Sequence, residues 1–244
     1  MADTSRTLVV VATYNEIENL PRLVDGVFEY CPDVNVLVID DNSPDGTGEW
    51  CDQRCEGDAR VACLHRAGKL GLGSATVAGF RYALEHEYEF VLTMDADFSH
   101  HPRYLPDLRG PIEVADSQVD VMVGSRYVPG GGIEGWPLHR LIMSRGINTY
   151  SRMLLGLSVN DCSGAFRCYR TSILKQIDLD EVRSCGYSYV EEILWLLDRQ
   201  GARFGEAPII FVDRELGQTK INWQEAVTAV FLILRFGIQR LLWG

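Results

Sequence analysis

The chain has 244 residues, of which 46% are hydrophobic and 23% charged, and its formal net charge is −11. These values are typical of a globular α/β protein of one domain, with or without an appendage. Such negative charge opposes generic binding to nucleic acid, so no nucleic-acid partner is expected. Residues 1–6 lack the apolar core of a secretory signal, and seven irregularly spaced cysteines favour reduced thiols in a cytoplasmic protein. No run reaches the roughly 20 apolar residues that a membrane span requires.

Strands and helices are predicted to alternate through the first half of the chain. Short apolar runs predict four strands, at residues 7–12, 34–39, 61–65 and 90–94. Helical patterns follow, notably at residues 17–30 and 74–86. This order predicts right-handed βαβ units and a mostly parallel sheet with helices on both faces. Ligands bind such sheets at the carboxyl ends of the strands.

The second half of the chain is less regular. An apolar run at residues 121–124 predicts another strand, and the glycine-rich segment 129–132 predicts a mobile loop. Four more elements are predicted: helices at residues 138–155 and 189–200, a strand at residues 207–212 and a long closing helix at residues 223–243.

Acidic residues follow three of the predicted strands: Glu16, Asp40 with Asp41, and Asp95 with Asp97. Residues i and i+2 of an extended segment point to the same side, so Asp95 and Asp97 can face one cation, or one can hold the metal while the other contacts a ligand. Mg²⁺ and Mn²⁺ take oxygen ligands and are commonly shared with a substrate diphosphate. The alternative is a surface turn with two solvated aspartates. The position after a buried strand, near other strand-end acids, favours the cation site.

Basic residues of the second half could supply complementary charge. Arg126 follows the predicted strand at residues 121–124, and Arg140, Arg214 and Lys220 lie in or beside turn-like sequence. Arginine forks bind phosphate oxygens, which makes these residues candidates for a phosphate site. For any one of them an ordinary surface charge is the simpler interpretation, and their interest depends on a shared partner.

Two further motifs predict little by themselves. The glycine-rich segment 68–73 is not a Walker phosphate loop, because Lys69 is not followed by Ser or Thr at the required spacing. His100 and His101 are neighbours whose side chains diverge, so they are not expected to share a metal.

Two segments are apolar, basic and free of acids. Residues 135–160 contain three arginines, and residues 226–244 contain Arg235 and Arg240. In so acidic a protein, such segments are typical of surfaces that meet an anionic membrane. The alternative is that both are helices packed in the core. Packing is the preferred interpretation for the first segment, and the two interpretations are equally supported for the last helix.

Several motifs run in order along nearly the whole chain. The longer ones are Thr-Tyr-Asn-Glu at residues 13–16, Val-Ile-Asp-Asp-Asn-Ser-Pro-Asp-Gly-Thr at 38–47 and Met-Asp-Ala-Asp-Phe-Ser-His at 94–100. Shorter ones are Val-Gly-Ser-Arg-Tyr at 123–127, Trp136-Pro137 with Arg140, Ser163-Gly164, and residues 214–220. With these motifs the chain resembles the dolichol-phosphate mannose synthases, which belong to family 2 of the GT-A-fold glycosyltransferases.

The resemblance implies a GT-A fold, which is Rossmann-like, as a catalytic domain at residues 1–221. An amphipathic helix at residues 222–244 would follow it and lie at a membrane interface. It also implies inverting transfer of mannose from GDP-mannose to a dolichyl-type polyprenyl phosphate, with Mg²⁺ or Mn²⁺ as cofactor. The enzyme would be cytoplasmic and peripheral on the cytoplasmic face of a membrane, where a membrane-anchored protein partner could hold it.

The resemblance further implies a role for each matching residue. The donor would contact Ala12, Tyr14, Glu16, Ile39, Asp41, Asp95, Ala96, Asp97, Arg126, Arg214 and Lys220. Asp95, Asp97 and Ser99 would lie at the metal, with Asp97 on the ion and Asp95 nearer the donor. The acceptor phosphate would be held by Arg126, Arg140 and Arg214, and Asp95, Asp97 and Arg126 would carry the catalysis.

The sequence departs from the family pattern mildly, and rival functions remain. Ala12 stands where the family usually has proline, and Gln218-Thr219 stand where it commonly has Glu-Ser. Relatives with this fold transfer glucose from UDP-glucose to undecaprenyl phosphate, usually with two added membrane spans that are absent here. Two rivals from other classes are a phosphohydrolase with an aspartate nucleophile and a non-catalytic nucleotide-sugar-binding subunit at a membrane.

Overall fold

A computed structural model describes residues 6–184, 186–213 and 223–243, with the side chains of the last helix from residue 230 to 240. In chain order the elements are β1 (Thr7–Thr13), α1 (Leu20–Tyr30), β2 (Asn35–Asp40), α2 (Thr47–Gly57), β3 (Val61–His65), α3 (Leu72–Glu85), β4 (Phe90–Asp95), α4 (Leu105–Glu113), β5 (Val121–Ser125), β6 (Gly132–Glu134), α5 (Leu138–Leu155), β7 (Arg167–Arg170), α6 (Thr171–Leu174), α7 (Tyr189–Arg199), β8 (Phe204–Pro208), β9 (Ile210–Val212) and α8 (Trp223–Trp243).

The main sheet has seven strands in the order β3-β2-β1-β4-β7-β5-β8. All neighbours pair in parallel except β7, which is antiparallel to both β4 and β5. The prediction of a mostly parallel sheet is therefore confirmed. Strand β7 was not predicted, because it is four residues long and begins and ends with arginine, so no apolar run marks it.

Helices cover both faces of the sheet, as predicted. Alternate residues of β1 enter separate cores: Leu8 and Val10 pack toward α3, α5, α6, α7 and α8, and Val9 and Val11 pack toward α1, α2 and α4. Each fully buried valine stabilises the fold by about 1.5–3 kcal/mol relative to an exposed one. Because successive side chains of β1 point to opposite faces of the sheet, this one strand contributes to both cores.

Strand register aligns the carboxyl ends that carry the acids. Thr13 of β1 lies beside Asp40 of β2, and Ala12 lies beside Asp95 of β4. Strand β7 begins at this same edge, where Arg167 pairs with Thr93 of β4 and with Val123 of β5. The loop before β7 consequently reaches the edge where the parallel strands end.

The predicted strand at residues 207–212 is wrong in its extent. Strand β8 starts earlier and ends at Pro208, and β9 leaves the main sheet to pair with β6. Proline has no N–H to donate, which suits the end of a strand.

The glycine-rich segment at residues 129–132 packs closely against the end of β5: a Cβ at Gly131 would lie 2.5 Å from the Ser125 carbonyl oxygen.

Helix α8 packs onto the body of the domain. Ile233 and Phe236 are buried in the core, and the Phe236 ring stacks on Trp195 of α7 with centroids 4.5 Å apart. Within the described part of the chain, no helix is both long and apolar enough to cross a membrane.

Candidate active site

A cleft of about 190 Å³ opens where β1, β2 and β4 end. It is lined by Ala12, Thr13, Tyr14, Glu16, Asp41, Lys69, Gly71, Leu72, Ala75, Asp95, Ala96, Asp97, Gly186 and Tyr187. Seven of the residues expected to contact the donor are in this set. Sheet register explains the convergence, because three neighbouring parallel strands deliver their following residues to one edge.

Asp95 and Asp97 both line the cleft but differ in exposure. The Asp95 side chain is 32% exposed, whereas Asp97 as a whole is 8% exposed. The backbone N–H of Ser99 donates to Asp97 Oδ1 at 3.1 Å, which orients that carboxylate. Phe98, which lies between Asp97 and Ser99 in the turn, takes a φ of +61°, an uncommon conformation for a bulky residue. The turn therefore holds Asp97 firmly and leaves Asp95 more accessible.

His100 supports this turn through a hydrogen bond with Asp95. It was not identified as a functional residue from the sequence. Its Nδ1 accepts the backbone N–H of Asp95 at 3.1 Å and lies 3.4 Å from Asp95 Oδ2. The ring is buried and stacks on Phe166 with centroids 5.0 Å apart. His101 instead accepts the Arg103 N–H beyond the turn, so the two histidines diverge as expected.

Two loops that frame the cleft are joined by side-chain hydrogen bonds. The Asn15 N–H donates to Ser43 Oγ at 3.0 Å, and the Glu16 N–H donates to Thr47 Oγ1 at 3.1 Å. Asp45 Oδ2 accepts the Ile17 N–H at 3.2 Å. The hydroxyl and carboxylate groups of the segment 42–47 thus fix the backbone that presents Tyr14 and Glu16.

Asp41 anchors the glycine-rich segment 68–73 beneath the cleft. It accepts hydrogen bonds from Arg66 Nε at 2.5 Å and from the Leu70 N–H at 3.1 Å. Arg66 also donates to Ser74 Oγ at 2.7 Å and to the Gly71 carbonyl at 3.2 Å. The predicted donor contact Asp41 therefore also has a structural partner, Arg66, which sequence reasoning missed.

The same segment places Lys69 at the cleft. Its Nζ lies 4.6 Å from the centroid of the Tyr14 ring. Although the segment lacks a Walker pattern, its backbone and Lys69 line the ligand space. In the sequence, only the position of Lys69 in a glycine-rich segment indicated that it could line a ligand site. That indication is weak until the fold shows that the segment lies at the cleft.

Arg126 is held by a buried acid that was not predicted. Its Nε and Nη2 donate to the two carboxylate oxygens of Asp161 at 2.7 Å each, and Nη2 also donates to Ser163 Oγ at 2.8 Å. Burial would lower the pKa of Arg126, but the charge and hydrogen bonds of Asp161 raise it, with a contribution from Asp95. Arg126 therefore remains charged although it is only 8% exposed.

The turn that carries Asp161 is itself braced. Asn148 of α5 accepts the N–H groups of Cys162 and Ser163 at 2.7 and 3.1 Å. Glu206 of β8 accepts the Asp161 N–H at 3.1 Å. Helix α5 and the edge of the sheet thus set the position of the Arg126 partner.

Arg140 pairs with a different acid from Arg126, although both guanidinium groups lie beside the Trp136 ring. Arg140 donates from Nη1 to both carboxylate oxygens of Asp213, at 3.0 and 3.1 Å, and lies 3.8 Å from the Trp136 ring centroid. It is not among the described residues that line the cleft. Arg214 and Lys220 lie outside the described residues.

Two predicted contacts are buried rather than on the cleft surface. Ile39 is 0% exposed and lies in the core near Gly79, and Ser99 is 3% exposed. Neither is among the described residues that line the cleft. The contacts of Ile39 with the donor and of Ser99 with the metal stay predictions. In the structure the Ile39 side chain packs in the core, and the backbone N–H of Ser99 donates to Asp97.

The buried carboxylate of Glu192 braces the segment that leads to Gly186 and Tyr187 in the cleft wall. Glu192 of α7 accepts the N–H groups of Arg183 and Ser184, the latter at 2.8 Å. Its neighbour Glu191 is 4% exposed, and burial raises the pKa of Glu191 to about 7. Sequence reasoning missed both, because acids in the first turn of an amphipathic helix are ordinary.

The cleft carboxylates fit a divalent metal that is shared with a ligand. Among the described residues, no three histidine, cysteine or acidic side chains lie close enough to bind a metal by themselves. Mg²⁺ is commonly held by one or two carboxylates and completed by substrate phosphates and water. Asp97, oriented by the Ser99 N–H, and the more exposed Asp95 supply such an incomplete oxygen set.

The fold is of the GT-A type found in glycosyltransferases. Glucosyl-3-phosphoglycerate synthase of Mycobacterium tuberculosis, in complex with Mn²⁺, uridine diphosphate and phosphoglyceric acid, matches with a TM-score of 0.65 at 18% identity. The match covers 96% of this chain and 78% of that one. At this identity the likeness concerns the fold alone.

Residues 8–178 match the family model described as Glycosyl transferase family 2, and the chain belongs to that family. A polyprenol monophosphomannose synthase of Mycolicibacterium smegmatis is 44% identical over 237 residues, or 97% of this chain and 88% of that relative. An undecaprenyl-phosphate mannosyltransferase of Micrococcus luteus is 42% identical over 233 residues, or 96% of this chain and 94% of that relative.

Proposed function

We infer that this glycosyltransferase transfers mannose from a nucleotide donor, GDP-mannose, to a polyprenyl phosphate in a membrane. The observation that carries the inference is the placement of Asp95 and Asp97 in a cleft at the ends of parallel strands, with Asp95 close enough to Arg126 to contribute to the raised pKa of that arginine. The names of the two relatives support mannose as the sugar and a polyprenyl phosphate as the acceptor.

The donor would lie across the cleft between β1, β2 and β4. Tyr14 and Lys69 form one wall of this cleft, and the Arg66–Asp41 pair fixes the loop that carries Lys69. The base and ribose would rest near Tyr14, Glu16 and Asp41, and the diphosphate would reach Asp95 and Asp97. Arg214 and Lys220, as expected from the resemblance, would contact the phosphates.

A bound Mg²⁺ or Mn²⁺ would neutralise the charge of the departing diphosphate. Asp97 is the residue best placed to hold it, because its carboxylate is oriented by the Ser99 N–H. Asp95 would then hold the sugar or share the ion. The solved neighbours that bind Mn²⁺ or Mg²⁺ with uridine diphosphate support the use of a divalent ion in this fold.

The acceptor phosphate is anionic near neutral pH, so the reaction requires no strong general base. An oxygen of this phosphate would attack C1 of mannose from the face opposite the diphosphate. The new C1–O bond forms as the bond to the diphosphate breaks, which releases the nucleoside diphosphate and inverts C1. Arg126, charged and held by Asp161, would stabilise the approaching phosphate; its Nη1 makes no hydrogen bond within the described residues. Arg140 and Arg214 would assist it.

The enzyme would work as a cytoplasmic, peripheral protein at the face of a membrane, because its acceptor is anchored there by a long apolar chain. A membrane-anchored protein partner could contribute to this attachment. The finding that no described helix can cross a membrane is compatible with peripheral binding.

The test is a transfer assay with labelled GDP-mannose, UDP-glucose or GDP-glucose, each offered with dolichyl or undecaprenyl phosphate and either Mg²⁺ or Mn²⁺. We expect a lipid-linked product from GDP-mannose only, and only with a divalent ion. Glucose transfer would overturn the sugar assignment. Binding of GDP without transfer to any acceptor would favour a non-catalytic subunit, and phosphate release from a simple phosphomonoester would favour a phosphohydrolase.

A further inference from the structure

Helix α5 exposes an unusual number of large apolar side chains. Leu138, Ile142, Met143 and Met153 are 72%, 62%, 58% and 77% exposed. The opposite side of the helix buries Asn148, Ser151 and Leu155 against the body of the protein. Scattered apolar residues on a surface need no explanation, but four on one helix do.

Most of these exposed side chains share one sector of α5. At 3.6 residues per turn, Leu138, Ile142, Thr149 and Met153 fall within about 60° of each other around the helix axis. Arg145 and Arg152 flank this sector on one side by the same geometry. We call the surface formed by Leu138, Ile142, Arg145, Arg152 and Met153 the α5 face.

The basic side of the α5 face opens into a polar pocket of about 340 Å³. Arg145 and Arg152 line it together with Arg126, Asn148, Thr149 and Asn160. Arg152 donates to Asn160 Oδ1 at 2.8 Å, and neither Arg145 nor Arg152 forms an ion pair with a described residue. Because residues 135–160 contain no acid, the positive charge of this side is not offset along the helix itself.

Helix α8 extends the apolar part of this surface. It lies against α5, where the Tyr150 hydroxyl donates to the Val230 carbonyl at 3.2 Å and a Cβ at Gly237 would lie 3.1 Å from Leu154 Cβ. While Ile233 and Phe236 face the core, Phe231, Leu234 and Ile238 are 67%, 40% and 49% exposed. Both helices therefore pack with one side and leave another apolar side in contact with solvent.

We propose that the α5 face, extended by α8, docks on a bilayer that carries anionic lipid headgroups. Charge complementarity selects this occupant: a protein of net charge −11 presents its acid-free, arginine-bearing surface beside exposed leucine, isoleucine and methionine. Apolar side chains enter the boundary of such a bilayer while arginines pair with the headgroup phosphates. The biological use of this docking rests on the proposed function, since it brings the pocket that contains Arg126 to the level of a lipid phosphate.

The test is sedimentation of the full chain with phosphatidylcholine vesicles that contain or lack phosphatidylglycerol. We expect binding to the anionic vesicles that falls as salt is added. The charge variant R145E/R152E should bind the anionic vesicles at least tenfold more weakly, because the loss of each arginine lowers the affinity by about fivefold or more. The apolar variant I142E/M153E should also lose at least about tenfold, because the buried apolar area is lost.

The matched control is V114E. Val114 is 60% exposed but follows α4 near Glu113, which contacts Thr7 at the amino-terminal end of β1, on the opposite edge of the sheet. We expect V114E to bind vesicles as the parent protein does. Apart from Arg152, none of the substituted side chains makes a hydrogen bond with a described residue. Unchanged circular dichroism and thermal unfolding would verify folding, and the milder pair I142S/M153S replaces I142E/M153E if that variant misfolds. Undiminished vesicle binding by both apolar variants, or equal binding of the parent to neutral and anionic vesicles, would overturn the proposal.

Two measurements separate this proposal from its alternatives. If sedimentation velocity shows a dimer that I142E/M153E disperses while vesicle binding persists, the surface is an interface between copies and the proposal is wrong. Mannose transfer by I142E/M153E to a short, water-soluble polyprenyl phosphate should stay normal, and transfer to a long-chain acceptor in vesicles should fall. If the parent transfers sugar to no acceptor, the proposed function fails, and vesicle binding still decides whether the α5 face docks.

Discussion

The guanidinium of Arg126 donates to both carboxylate oxygens of Asp161, at 2.7 Å from Nε and 2.7 Å from Nη2. The two residues lie in loops next to different strands of the sheet, since Arg126 follows β5 and Asp161 precedes β7. Their side chains are 6% and 0% exposed. A forked pair of this kind fixes the position of the arginine, and it also keeps a charge in a place where water cannot stabilise it.

Replacing Asp161 with asparagine should destabilise the protein, because the Arg126 charge loses its partner while remaining buried. We expect the free energy of unfolding to fall by about 3–5 kcal/mol, measured by urea denaturation. D33N is the matched control, since Asp33 pairs with Arg109 but its side chain is 59% exposed. The control should lose no more than about 1 kcal/mol. Equal, small losses in both variants would contradict a structural role for the buried pair.

The same pair predicts a dependence on pH. Burial would raise the pKa of Asp161, but Arg126 lowers it below the ordinary value. A carboxylate whose pKa is lower in the folded state stabilises the protein above its unfolded pKa, and this stabilisation is lost as the pH falls through the folded value. The difference in stability between D161N and the parent should therefore shrink in acid.

Glu191 predicts a trend of opposite sign. Burial raises the pKa of Glu191 from 4.5 to about 7, so the folded state holds this proton more tightly than the unfolded chain does. Its contribution to stability is complete below the unfolded value and is lost as the pH rises toward 7, by up to about 3 kcal/mol. E191Q should remove this loss. Urea denaturation at about pH 5 and pH 8 measures it, and an unchanged slope in E191Q would refute the assignment.

Asp97 should matter more than Asp95 for the metal. With D97N we expect transfer to fall at least about 100-fold, because a metal ion contributes several kcal/mol to stabilising charge in the transition state. Mn²⁺ affinity in the presence of nucleoside diphosphate, followed by electron paramagnetic resonance, should fall with D97N more than with D95N. Parental Mn²⁺ binding by D97N would show that the ion lies elsewhere.

Arg66 should control donor binding without taking part in the chemistry. R66A removes the bonds to Asp41, Ser74 and the Gly71 carbonyl, so the loop that carries Lys69 loses its anchor. We expect the donor KM to rise about tenfold or more, since hydrogen bonds to charged groups are worth about 1.5–3 kcal/mol each, with kcat little changed. R60A is the control, because Arg60 pairs with Asp58 and contacts Phe28 instead. A fall in kcat at constant KM would contradict the anchoring role.

Gly73 should tolerate no side chain. A Cβ there would lie 2.2 Å from the Ser184 carbonyl oxygen and 2.8 Å from Tyr189 Cβ, so α3 would have to move away from α7. We expect G73A to cost about 1–3 kcal/mol of stability, as overpacked sites do. At Gly68, by contrast, nothing lies within 4 Å of the added atom, and G68A should change thermal unfolding little. Similar melting temperatures for both variants would contradict this packing.

The donor side of the site could be predicted from sequence because short-range signals define it. Apolar runs end at Ala12, Ile39 and Met94, and acids or polar turns follow each one, so parallel pairing alone brings them together. Ile39 shows the limit of this reasoning. A residue at a strand end can belong to a motif and still point its side chain into the core.

The acceptor side could not be predicted in the same way. Asp161 lies 35 residues from Arg126 in sequence, and the strand β7 that brings them together has no apolar pattern. For α5, core packing was the preferred prediction, and it describes only one side of the helix. Periodicity identifies which residues share a face, but the tertiary structure decides whether that face meets protein or solvent.

The single antiparallel strand of the main sheet, β7, also sets the distance between the two parts of the site. Because β7 is inserted between β4 and β5, two strand spacings, about 10 Å, separate the end that carries Asp95 from the end that precedes Arg126. That span is maintained by backbone hydrogen bonds, which substitutions other than proline leave in place. Substitutions at the end of β4 or of β5 can therefore change which ligand binds there. The distance between the two strand ends, across which the sugar is transferred, stays the same.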